Sequence, residues 1–163
     1  LEVAERAEAQ QKSDTKNPNA HYWMAYALGR YSQGISVAKA LTQGLGSKVK
    51  GALEATIKLA PKHADAHIAL GAFHAEVIDK VGGLVGGMTY GAKKDSAVEH
   101  YEKAMKLFPE SPITRIEYAN GLLMLFGKGR IAEATKLYEQ AAAAKPADGM
   151  ERLDVELAKS ELE

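Results

Sequence analysis

The stretch AVEHYEKAMKLFP, residues 97–109, decides the fold. Ala97, Tyr101 and Ala104 recur at i, i+4 and i+7, which puts small, large and small side chains on one face of a helix. Pro109 then ends that helix, because it lacks an N–H and cannot continue the turn. The same figure returns in AEATKLYEQAAAAKP, residues 132–146, where Ala134, Tyr138 and Ala141 stand at identical distances from Pro146. An earlier copy, VKGALEATIKLAP at residues 49–61, places Val49, Leu53 and Thr56 there. Small residues in such a stripe let a neighbouring helix come close. Pro18, Pro61, Pro109 and Pro146 punctuate the chain at nearly regular intervals, each between two helical patterns, so internal repeats are expected.

Each proline also opens a second half-pattern. After Pro61 comes HADAHIALGAFH, which sets Leu70-Gly71 in a helix; after Pro109 comes ESPITRIEYANGLL, with Tyr118-Ala119 at the same distances. Together these positions resemble the tetratricopeptide (TPR) signature: Leu-Gly or its equivalent in helix A, small, large and small residues in helix B, then Pro. The resemblance covers about residues 17 to 146. It implies an all-α, α–α superhelix of about three helix pairs, near 19–61, 63–109 and 111–146, capped by a helix at 148–161, as one domain over 1–163. The helices are expected near 2–15, 19–42, 47–60, 63–80, 94–108, 111–126 and 130–144, with the cap last. In the first repeat Trp23, Met24, Tyr26 and Leu28 are expected to be helical and partly buried. Leu153, Leu157 and Ala158 are expected to form the buried stripe of the cap. One helix pair cannot bury its apolar face alone, whereas stacked pairs share a seam that a polar terminal helix closes.

The repeats are longer than the plain TPR period of about 34 residues. The excess falls between helices A and B, in QGISVAKALTQGLGSK from Gln33 and DKVGGLVGGMTYGAKK from Asp79. Both inserts are apolar and glycine-rich, and both end on a Gly, a small residue and a Lys. The expectation for the second is that Val81, Leu84, Val85 and Met88 cover apolar surface. Long A–B segments on TPR packing are also similar to two families: the regulator of microtubule dynamics family and the TPR lipoprotein of tripartite periplasmic (TRAP) transporters. KVKGALEATIKLAPKHADAHIALG, from Lys48 to Gly71, carries most of that likeness. The Gly-rich insert also resembles those of bacterial TPR proteins of unassigned function. None of these supplies a catalytic motif.

Composition narrows function further. Lys plus Arg and Asp plus Glu balance at 21 each, so no net charge draws the chain to nucleic acid. There is no cysteine, hence no disulfide, thiolate metal site or thiol nucleophile. No apolar run approaches the roughly 20 residues of a membrane span. The chain starts at Leu1, from which either a removed leader or a trimmed start is expected, with the periplasm ahead of the cytoplasm.

The chemistry-bearing residues point to binding. Gly86 to Gly91 has the spacing of a phosphate loop, but Ala92 stands where the lysine belongs and no strand precedes it. His63 and His67 are four apart on one helix, yet no third ligand is placed by sequence, and His67 and His74 occupy TPR packing positions. No Ser-His-Asp spacing, apolar-face carboxylate pair or zinc-helix motif is present. No enzyme, cofactor or metal is therefore expected. By TPR position the inward residues of one A helix are Asp65, Ile68, Ala72 and Glu76, and those of the next are Ile113, Glu117, Asn120 and Met124. Their mixed polarity suits a protein or peptide. The B helices open on a basic edge of Lys48, Lys50, Lys93, Lys94, Lys128 and Arg130, against the helix dipole and hence suited to anions. The reading is a non-catalytic protein- or peptide-binding scaffold, with self-association through the inserts as one form of it. The alternative is a transporter-accessory periplasmic protein holding a small apolar or lipid ligand.

Overall fold

A computed structural model describes all residues from Leu1 to Glu163. The chain is all-α, with ten α-helices in order: α1 (Glu2–Ser13), α2 (Pro18–Gln33), α3 (Val37–Thr42), α4 (Leu45–Leu59), α5 (Ala64–Val81), α6 (Gly83–Tyr90), α7 (Lys94–Leu107), α8 (Pro112–Phe126), α9 (Ile131–Ala142) and α10 (Gly149–Ser160). A short 3-10 turn, Gly127–Arg130, joins α8 to α9. Two compact units divide the chain, Leu1–Leu70 and Gly71–Glu163, and the boundary falls inside α5.

In the first unit α1 packs on α2, and α2 packs on α4. The expected stripe of α4 is buried in full: Val49, Leu53 and Thr56. A threonine at a core position needs its hydroxyl satisfied. Thr56 Oγ1 donates to the Ala52 carbonyl at 2.8 Å and lies 3.4 Å from the Pro18 carbonyl, tying α4 to the start of α2. Pro18 is itself the first helical residue, where a missing N–H costs nothing, and the Asn17 side chain caps that end.

In the second unit α7 packs on α8, α8 on α9, and α10 against both α8 and α9. Ala97, Tyr101 and Ala104 of α7 and Ala134, Tyr138 and Ala141 of α9 are all buried, as the repeat requires. Tyr101 is the centre of this packing. Its ring stacks on Tyr118 with centroids 5.3 Å apart and planes at 16°. A Cβ at Gly71 would meet the same ring at 3.1 Å, and one at Gly121 at 2.4 Å. Glycine at these two positions is what lets a tyrosine lie between α5 and α8.

Four expectations need correction. The helix expected over 19–42 stops at Gln33 and restarts at Val37, where the Ser36 side chain accepts from the Lys39 N–H and caps a new helix. Such a cap offers the backbone an alternative to continuing the helix. The second insert, which lies outside every expected helix, forms α6, ended by Gly91 in the left-handed region (φ 65°). Its Gly86 is buried, and a Cβ there would meet Val77 Cγ1 at 2.9 Å, so glycine allows α6 to lie on α5. Leu84, Val85 and Met88 do not cover apolar surface. Leu84 is 78 % and Met88 83 % exposed, because α6 turns Gly86, not its large side chains, inward. Finally, the cap α10 buries Val155 and Ala158 and leaves Leu153 and Leu157 exposed.

Candidate functional site

The α8 residues expected to face a partner form one line along the helix. Ile113, Glu117 and Asn120 are half-buried and Met124 is 41 % exposed, while Ile116, Ala119, Leu122 and Leu125 on other faces are buried. The line is built by its neighbours. Ser111 caps α8 by accepting from the Thr114 N–H, and Pro112 occupies the first helical position. The Tyr138 hydroxyl donates to Asn120 Oδ1, so the amide is held by α9 and presents its remaining groups in a set direction. On α5, Ala72 and Glu76 are half-buried. Burial first, then the charges of Glu117 and Glu76, raise the Tyr101 phenol well above its usual range, so both carboxylates act on one buried hydroxyl.

Asp65 and Ile68 belong to the first unit. Asp65 is exposed. Ile68 is buried, so it packs the core and is unavailable to a partner.

The residues of the basic edge are employed in different ways. Lys50 pairs with Glu54 at 2.7 Å one turn on. Lys94 Nζ donates to the Leu125 carbonyl at 2.6 Å, neutralising an orphan acceptor at the C-terminal end of α8. The same ammonium lies 5.0 Å from the Phe126 ring centroid, and the Arg130 guanidinium 4.7 Å from it. Arg130 also pairs with Glu133 at 3.3 Å. These cations hold the α8–α9 corner together. Lys48, Lys93 and Lys128 are exposed.

The histidines are packing groups with assigned partners. His63 Nδ1 accepts from the Ala66 N–H at 3.2 Å and so caps α5. His67 Nε2 is 3.0 Å from the Pro61 carbonyl, which can only accept, so that nitrogen carries the proton. His74 Nδ1 accepts from the Lys93 N–H at 3.4 Å, and its ring stacks on His100 at 6.3 Å.

The partial burial expected of Trp23 and Tyr26 leaves an aromatic face on α2. Trp23 and Tyr26 are 51 % and 47 % exposed; Ala25 and Leu28 are the buried positions. The signal was Ala25, the small residue that marks where the next helix approaches.

The family model of the regulator of microtubule dynamics protein 1-3 matches residues 1–162. The chain belongs to the regulator of microtubule dynamics protein 1-3 family. No curated protein is similar enough in sequence to match this family member. Its fold is similar to the crystal structure of a thermophilic TPR protein of Thermus thermophilus, with a TM-score of 0.68 at 20 % identity, covering 96 % of this chain and 71 % of that one. That likeness concerns the fold: a TPR-like helical-repeat architecture. No helix of this family member is long and apolar enough to cross a membrane.

Proposed function

We propose that this chain is a non-catalytic scaffold that binds a protein or peptide along the open line of α8. The observation that carries the reading is that line itself. Ile113, Glu117, Asn120 and Met124 are only partly covered, although Ile116, Ala119, Leu122 and Leu125 of the same helix are packed and Asn120 is fixed by Tyr138. A preset amide beside apolar and acidic side chains supplies both contact area and direction to an extended segment. Met124 adds an adaptable, polarizable contact. The family name points to microtubule dynamics, which makes tubulin the first partner to test.

Met124→Glu places a charge in the middle of the contact and should weaken partner affinity at least about tenfold. Thermal stability should be unchanged, since Met124 is exposed. Affinity unaltered by Met124→Glu, measured by calorimetry with tubulin or another captured partner, would refute the α8 assignment.

Self-association has its own support. Between Lys80 and Lys93 there is no charged residue, and α6 leaves Leu84, Val85 and Met88 in water. A contiguous exposed apolar face of this kind marks an interaction surface. Light scattering should report an oligomer that Leu84→Ser with Met88→Ser converts to monomer. A wild-type monomer at high concentration would remove this reading and leave the first intact.

A further inference from the structure

The α2 aromatic face offers a second kind of contact, carried by residues that the α8 line does not involve. The Trp23 and Tyr26 rings meet edge to face at 5.5 Å. Tyr22 lies 5.6 Å from Trp23 and 6.3 Å from Tyr26, and its ring lies 4.8 Å from His63. His63 caps α5, and Asp65 stands exposed in the first turn of that helix. The Tyr22 phenol is pushed up to about 12 by burial first, then by the charge of Asp65 and by Tyr26, so the field of the carboxylate reaches Tyr22. An acid in the first turn is also favourable to the helix dipole. The dipole does not account for two large aromatic side chains left about half in water next to Tyr22.

We propose that Tyr22, Trp23, Tyr26 and Asp65 form a subsite for an arginine or lysine side chain of a bound peptide, a reading that rests on the chain being a peptide-binding scaffold. Aromatic faces carry negative electrostatic potential and attract a cation laid against them. A neighbouring carboxylate adds charge-assisted hydrogen bonds, and the planar guanidinium can use both at once. The chain uses the same chemistry internally, where Lys94 and Arg130 flank Phe126. Arginine is therefore preferred to lysine at the α2 face.

The chain has a single tryptophan, so Trp23 emission reports on this subsite alone. The full chain is titrated at low ionic strength with three peptides of equal length, in which alanine alternates with arginine, glutamine or glutamate. The arginine peptide should give a saturable change in Trp23 emission. Asp65→Asn and, separately, Tyr26→Leu should each weaken it about tenfold, and added salt should weaken it too. Tyr26 is half exposed, so its variant keeps the test usable should loss of the Asp65 charge unsettle α5. An absent or non-saturable change, an equal response to the glutamate peptide, or full binding by both variants would overturn the subsite. Spermidine titrates in parallel; if it matches the arginine peptide, the face binds free polycations and the peptide assignment falls. Failure of any of these with the Met124→Glu effect intact sinks the subsite only. Loss of the Met124→Glu effect sinks the scaffold reading.

Discussion

At Tyr101 the fold depends on what is missing from its neighbours. Gly71 and Gly121 touch the ring from α5 and α8, and the two positions are not equivalent. In a helix interior alanine gains about 1 kcal/mol over glycine. At Gly71 the added Cβ would meet the ring at 3.1 Å, a contact a small shift relieves. Gly71→Ala should therefore stay within about 1 kcal/mol of the parent. At Gly121 the contact would be 2.4 Å, and Tyr101 is buried with Tyr118 stacked on it. Gly121→Ala should cost about 2–3 kcal/mol by overpacking. Urea denaturation midpoints check the order; equal midpoints for the two variants would contradict it. The small-large-small stripes were legible in sequence because burial of such a stripe is local to one helix. Gly121 was not, since its close contact is with a side chain on another helix.

The inserts show what an element can hide. Their position between A and B helices was readable from proline spacing and the repeated stripes. Their conformation was not, because glycine permits a loop and a helix alike. In the helix that forms, Gly86 fits closely against Val77 and Ala92, a contact between residues well apart in sequence. The lysines that begin α7 read alike in sequence and act differently. Both are exposed, but Lys94 reaches the Leu125 carbonyl at the end of α8 and the Phe126 ring. Lys94→Ala should cost about 1 kcal/mol through the lost charge-assisted bond and cation–π contact. Lys93→Ala should be neutral to within about 0.5 kcal/mol, as for most exposed positions. Thermal melts of the pair decide this, and matching losses would restore the single basic edge that the sequence suggested. The α2 face keeps the partial burial expected of it. Trp23 and Tyr26 have core composition, but Ala25 and Leu28 hold the buried register.

Across the whole molecule, the repeat architecture was the most legible feature, because each repeat carries its own small residues, large residue and proline. Two compact units, Leu1–Leu70 and Gly71–Glu163, contain the two proposed contact regions separately, the aromatic subsite in the first and the α8 line in the second. Which A-helix residues stay open could not be read from sequence: Ile68 was placed on the inward face, yet it is buried, as is Ile116 at the same distance from its own proline. The central claim is that the α8 line is a binding surface. Its most direct test replaces Met124 and, as a control, exposed Lys136 on α9, one at a time with a photo-crosslinking residue in the full chain. Irradiation with tubulin, or with the partner captured from cells, should yield a defined adduct from position 124 and none from position 136. Equal crosslinking from both positions, or crosslinking from 136 alone, would contradict the account.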